Sequence, residues 1–152
     1  MGYYAHLLTD AAFQKMIRDE NRVKAVWNRI RANPNLHERA AGMEETWDNA
    51  KKLIPKEIWR GQIYSWEADY LKAHPDSGYL TEILTLKEFP DYIDYLPAGA
   101  IVRKIGVMGY LPDIYEELGE CVAISLEEYE SYIQDTVQMI LMRFSGIIWA
   151  LQ

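Results

Sequence analysis

The chain has 152 residues, 49% of them apolar and 26% charged, with 23 Asp and Glu against 16 Lys and Arg and a net charge of −7. That composition describes one ordinary globular domain spanning 1–152, long enough to bury a core, and excludes a disordered or fibrous chain. A lone cysteine, Cys121, excludes an internal disulfide and a cysteine-rich zinc site, and the N-terminus has no basic stretch followed by an apolar core, so a reducing, cytoplasmic setting is expected.

The first half reads as three N-terminal helices. Phe13, Met16, Ile17, Val23, Trp27 and Ile30 share one helical face, with Thr9 or Asp10 as the N-cap and Asn33-Pro34 as the stop. Leu36, Ala40, Met43, Trp47, Ala50 and Ile54 form a second stripe that stops at Pro55. Trp59, Ile63, Trp66 and Tyr70 form a third, closed by His74-Pro75-Asp76-Ser77-Gly78.

Residues 79–89 fit neither the helical nor the strand period, because Leu80, Ile83, Leu84 and Leu86 satisfy both in part. Further on, Ile101, Ile105 and Val107 alternate with Lys104 and Gly106, an imperfect strand pattern with residues 121–124 as its partner. A small β element around 100–108 and 121–124 is therefore expected. The last element opens on a capping box, Ser125-Leu126-Glu127-Glu128, and carries Tyr129, Ile133, Thr136, Ile140, Phe144, Ile147 and Leu151 as the buried stripe of a long C-terminal helix. The fold expected is α+β, mainly α. Thr136 to Leu151 is too short, and too interrupted by Gln138 and Arg143, to span a membrane.

The motifs of known chemistry fail one by one. His37-Glu38 begins a zinc-protease pattern whose second histidine would fall at Ala41. No phosphate-binding glycine loop, dinucleotide fingerprint or nucleophile elbow occurs. Gly106-Val107-Met108-Gly109 has the spacing of a backbone-clamping KH loop but no basic residue between its glycines, and it reads better as a turn after a strand. Asp91 and Asp94 lack a third ligand and read as a solvated turn. No catalytic residue, metal or cofactor is assigned, and the chain is expected not to be an enzyme.

Charge carries what function there is to read. Residues 1–76 hold 12 Lys and Arg against 11 Asp and Glu, whereas residues 77–152 hold 4 against 12. Between Lys104 and Arg143 there is no basic residue but eight carboxylates: Asp113, Glu116, Glu117, Glu120, Glu127, Glu128, Glu130 and Asp135. Glu127 and Glu128 are explained by the first turn of the last helix, where negative charge is favourable. Asp113, Glu116, Glu117 and Glu120 have no such local reason, and with Tyr110 and Tyr115 they make the expected partner-binding surface. The function expected is that of a small acidic binding protein. It would dock on a basic protein, such as a nucleic-acid-binding enzyme, and inhibit it as an immunity protein or a phage-encoded inhibitor does, with no direct contact to nucleic acid or membrane. The alternatives are a helical subunit of a larger assembly and a small enzyme with an unrecognised site.

Overall fold

The structure, a computed structural model, describes residues 2–88, 90, 95–100, 102–108 and 121–150. In chain order it contains α1 (Gly2–Ile17), α2 (Glu20–Ala32), α3 (His37–Ala40), α4 (Trp47–Leu53), α5 (Lys56–Ala73), a short π-helix (Tyr79–Ile83), α6 (Val102–Met108) and α7 (Leu126–Ala150). The chain divides into two compact units, one of Met1–Arg60 with Leu118–Gln152 and one of Gly61–Glu117.

The first unit holds most of the core. Its first helical stripe is broken at Asp19, which stands at φ −57°, ψ 131° and accepts from the backbone N–H groups of Asn21 and Arg22, both at 3.0 Å. A side-chain acceptor immediately ahead of a helical run competes with continuation of the previous helix, so α1 ends and α2 begins. Thr9 and Asp10 lie inside α1 and cap nothing; the Thr9 hydroxyl donates to Ala5 O. The second stripe is likewise divided, with Gly42 at φ 75° between α3 and α4, and Thr46 restarting the helix by accepting from Asn49 N at 3.2 Å. Three expected helices are thus five, and the stripe residues of the first two keep their inward face, whereas Tyr70 of the third is exposed.

Val26, Trp27, Ile30, Ala50 and Ile124 are at most 2% exposed, and Ile17, Val23, Ala40, Trp47, Leu53 and Ile54 surround them. Trp27 places its ring in this core and donates from Nε1 to Thr46 O at 3.1 Å, so its polar edge is satisfied. α1 packs against both α2 and α7, and α2 packs against α3 and α4. Phe13 touches Tyr132 edge-to-face at 5.5 Å and Tyr4 touches Phe144 at 6.1 Å, so α1 and α7 run antiparallel.

In the second unit, α5 continues to Ala73 and stops before Pro75 as expected, with Gly61, Ile63 and Ser65 buried. Of the ambiguous segment 79–89, Tyr79–Ile83 is the π-helix, closed by Leu84 N donating to Tyr79 O at 2.9 Å, and residues 84–88 are turn and irregular chain.

The expected β element is absent: the described residues contain no strand. Val102–Met108 is helical, so Gly106-Val107-Met108 is no loop after a strand either. Ile101, Ile105 and Met108 also recur at helical spacing, and on so short a run that reading competes equally with alternation. Residues 121–124 stay irregular for a different reason. Two of their carbonyls are taken by arginine: Arg29 Nε donates to Val122 O at 2.9 Å and Arg22 donates to Ala123 O, which occupies those acceptors without a sheet partner. The C-terminal helix has the expected length but is not buried throughout, and Ile133 of the expected stripe is exposed while Tyr132 and Thr136 are buried. No helix among the described residues is long and apolar enough to cross a membrane.

Candidate functional site on the C-terminal helix

The start of α7 is set by the capping box seen in the sequence. Glu128 N donates to Ser125 Oγ at 3.1 Å, and Ser125 N donates to Glu128 Oε2 at 2.9 Å. The same carboxylate receives Arg29 on both oxygens at 3.0 Å, and Arg22 Nε stands 3.7 Å from Oε2. Two guanidinium groups from α2 therefore converge on one carboxylate of α7. Arg22 is 8% exposed, lies with its guanidinium 4.9 Å from the centre of the Trp47 ring, and donates to Ile17 O at 3.1 Å. Its Nε is a buried donor with no acceptor. Burial holds this guanidinium below its ordinary value, against the opposing influence of Glu128.

This node separates two surfaces of α7. On one side, facing α1, lies a cleft of about 550 Å³ whose walls include Leu8, Ala12, Met16, Tyr132 and Met139, with Lys15, Arg22 and Glu128 at its polar margin. On the other, Leu126, Ile133, Val137 and Leu141 lie 41–55% exposed, and Met142 is 69% exposed. Leu126, Ile133, Val137 and Leu141 recur at helical spacing, so they form one stripe, and the exposed carboxylates of Glu127 and Glu130 share that side of the helix. Asp135 is exposed as well. Arg143 is the only basic residue of α7, and none occurs from Leu126 to Met142.

The acidic window therefore resolves into residues with different tasks. Glu128 is bound internally and offers nothing to a partner, while Glu127, Glu130 and Asp135 face solvent. The expected partner-binding residues Tyr110, Asp113, Tyr115, Glu116, Glu117 and Glu120 lie outside the described residues, as do Asp91 and Asp94. Arg22 and Arg29 were not expected to matter. Arg22 had a signal, since it stands four and eight residues before the apolar Val26 and Ile30 and so belongs to the buried stripe of α2; Arg29 had none.

Cys121 is buried, and burial pushes its thiol up, away from reactivity. Burial also raises the Tyr132 hydroxyl, which donates to Thr9 O at 3.3 Å. His6 pairs with Asp10 at 3.3 Å within α1, and His74, just past the end of α5, lies against Tyr70, so these two histidines are engaged locally and apart in sequence. Among the described residues no three His, Cys, Asp or Glu side chains are grouped to hold a metal ion. No protein-family model, curated protein or solved structure matches this chain.

Proposed function

We propose that this chain is a non-enzymatic binding protein that docks on a basic surface of a protein partner and inhibits it, in the manner of an immunity protein or an inhibitor of a nucleic-acid enzyme. The observation that supports this reading is the outer side of α7, where an exposed apolar stripe is bordered by carboxylates and the helix itself carries no cation before Arg143. Exposed apolar residues in a stripe mark contact surfaces, and charge of one sign around them steers and selects a partner of the opposite sign. The capping box and the Arg29 bonds at the base of α7 support a helix that is already formed before binding, which lowers the ordering cost. The cluster Asp113, Glu116, Glu117 and Glu120, with Tyr110 and Tyr115, extends the same acidic character along the sequence and is the second surface of the proposal.

The test is capture from the native host followed by washes of increasing salt and by two charge-reversed variants, Glu127→Lys/Glu130→Lys and Glu116→Lys/Glu117→Lys/Glu120→Lys. A basic partner, released by salt and lost from either variant, supports the reading and says which surface binds. A partner that is itself acidic, or one retained by both variants through high salt, would refute it. A larger assembly is the alternative reading, and its mark would be co-elution in fixed stoichiometry that neither variant disturbs.

A further inference from the structure

The exposed stripe of α7 has an internal order that bears on the shape of what it meets. Leu126, Glu130, Ile133 and Val137 follow one another at spacings of four, three and four residues, and Leu141 stands four further on. In a helix all five fall within about 80° of the circumference and along about 22 Å of its length. All five are exposed. A narrow seam spaced by alternating fours and threes is the pattern that one facing helix fills with its own side chains. Glu130 puts a charge into that seam. Its carboxylate has no ion-pair partner among the described residues, and neither has that of Glu127 on the flank. A helix laid here takes Glu130 out of water, which is unfavourable unless the arriving surface brings a cation to it. A second copy of the chain would bring Glu127, Glu130 and Asp135 again, and a net charge of −7 on each copy opposes that pairing.

Resting on the reading of this side of α7 as the face that meets a basic protein, we propose that the seam receives one amphipathic helix of that protein. The helix lies antiparallel to α7, with apolar residues against Leu126, Ile133, Val137 and Leu141 and a Lys or Arg against Glu130. Charge placement sets the direction. Glu127 and Glu130 lie near the N-terminus of α7, so an antiparallel helix meets them with its C-terminal half, where its own dipole favours cations. Glu130 is then the residue that selects the partner, as a single polar seam residue does in paired helices, and the four apolar residues supply contact area.

The experiment titrates the full chain with a synthetic helical peptide of about three heptads, bearing Leu at its seam positions except for one Lys in its C-terminal half, placed to face Glu130. Two control peptides carry Glu in place of that Lys, or the Lys moved to the N-terminal half. Calorimetry below the peptides' self-association limit should show saturable one-to-one binding of the first peptide, at least about tenfold tighter than either control. Glu130→Lys should reverse the preference in favour of the Glu peptide, a rescue that also shows the variant to be folded. Val137→Asp, at an exposed position, should weaken the first peptide at least about tenfold. No saturable binding, a preference that Glu130→Lys leaves unchanged, or equal binding of the displaced Lys would overturn the proposal. So would a dimer of the chain alone that Val137→Asp dissolves. A captured basic partner lost from Glu127→Lys/Glu130→Lys while no peptide binds would overturn the helix and leave the binding face standing. Peptide binding with the expected preferences, beside a captured partner that is acidic, would support the seam and refute the basic protein.

Discussion

Glu128 joins the capping box of α7 to two arginines of α2, so its removal should cost far more than removal of its neighbour. Glu128→Ala deletes two bonds from Arg29 at 3.0 Å, the acceptor for Ser125 N at 2.9 Å, and the negative charge 3.7 Å from Arg22 Nε. Breaking a fully buried ion pair costs about 3–5 kcal/mol, chiefly by stranding the partner charge, and loss of a cap costs about 1 kcal/mol. The side chain of Arg22 is only 6% exposed and feels most of that loss, whereas Arg29, at 23%, recovers part by hydration. The expected total is about 3 kcal/mol, near the lower end of the range, and for a chain of this size it lowers Tm by about 6–12 °C. Glu128→Gln keeps the shape and one acceptor and should lose about half as much. Urea unfolding followed by tryptophan fluorescence measures both, with Glu127→Ala as the exposed control, expected within about 0.5 kcal/mol of the parent. A Glu128→Ala loss under about 1 kcal/mol, or one equal to the control, would show that the node is a solvated surface pair and refute the account.

Three further outcomes are expected. Burial raises the Cys121 and Tyr132 groups in the folded chain, so the unfolded chain releases protons first; stability is then fully present below the thiol's ordinary pKa of about 8.5 and falls as pH rises beyond it, and Cys121→Ala should flatten the earlier part of that fall in urea midpoints taken from pH 7 to 10. Asp19→Ala removes the side-chain acceptor of two backbone N–H groups at the start of α2 and should cost about 1 kcal/mol by the same urea assay, while Asp10→Ala, inside α1, should cost less than half of that. Ile30→Ala empties a fully buried site and should cost about 3–4 kcal/mol, enough to separate it clearly from the exposed Ile133→Ala in thermal melts.

Features carried by neighbouring residues were legible in the sequence. The reciprocal bonds of Ser125 and Glu128 follow from spacing alone, and so do the inward faces of Val23, Trp27 and Ile30, and of Ala40, Trp47 and Ala50. What periodicity could not reveal was where those faces are interrupted. Asp19 and Gly42 break helices without breaking the apolar repeat, because the chain bends while each side stays turned to the same core. At 121–124, where a strand was expected, the carbonyls of Val122 and Ala123 are taken by Arg29 and Arg22 from a helix about a hundred residues earlier, and no local pattern encodes such a pairing. The same pairing engages Glu128, which its place in the first turn of α7 had already set apart from the expected partner surface. The apolar stripe on the other side of α7 was not legible, because the periodicity placed Ile133 on the buried face, where Tyr132 lies instead.

The most direct test of the proposed binding face is the affinity of the captured partner for the parent chain and for Glu127→Lys/Glu130→Lys, each measured at several salt concentrations by calorimetry. The account predicts that the parent weakens steadily with salt and that the variant binds at least about tenfold more weakly with a shallower salt dependence. Equal affinity and equal salt dependence for the two chains would contradict it.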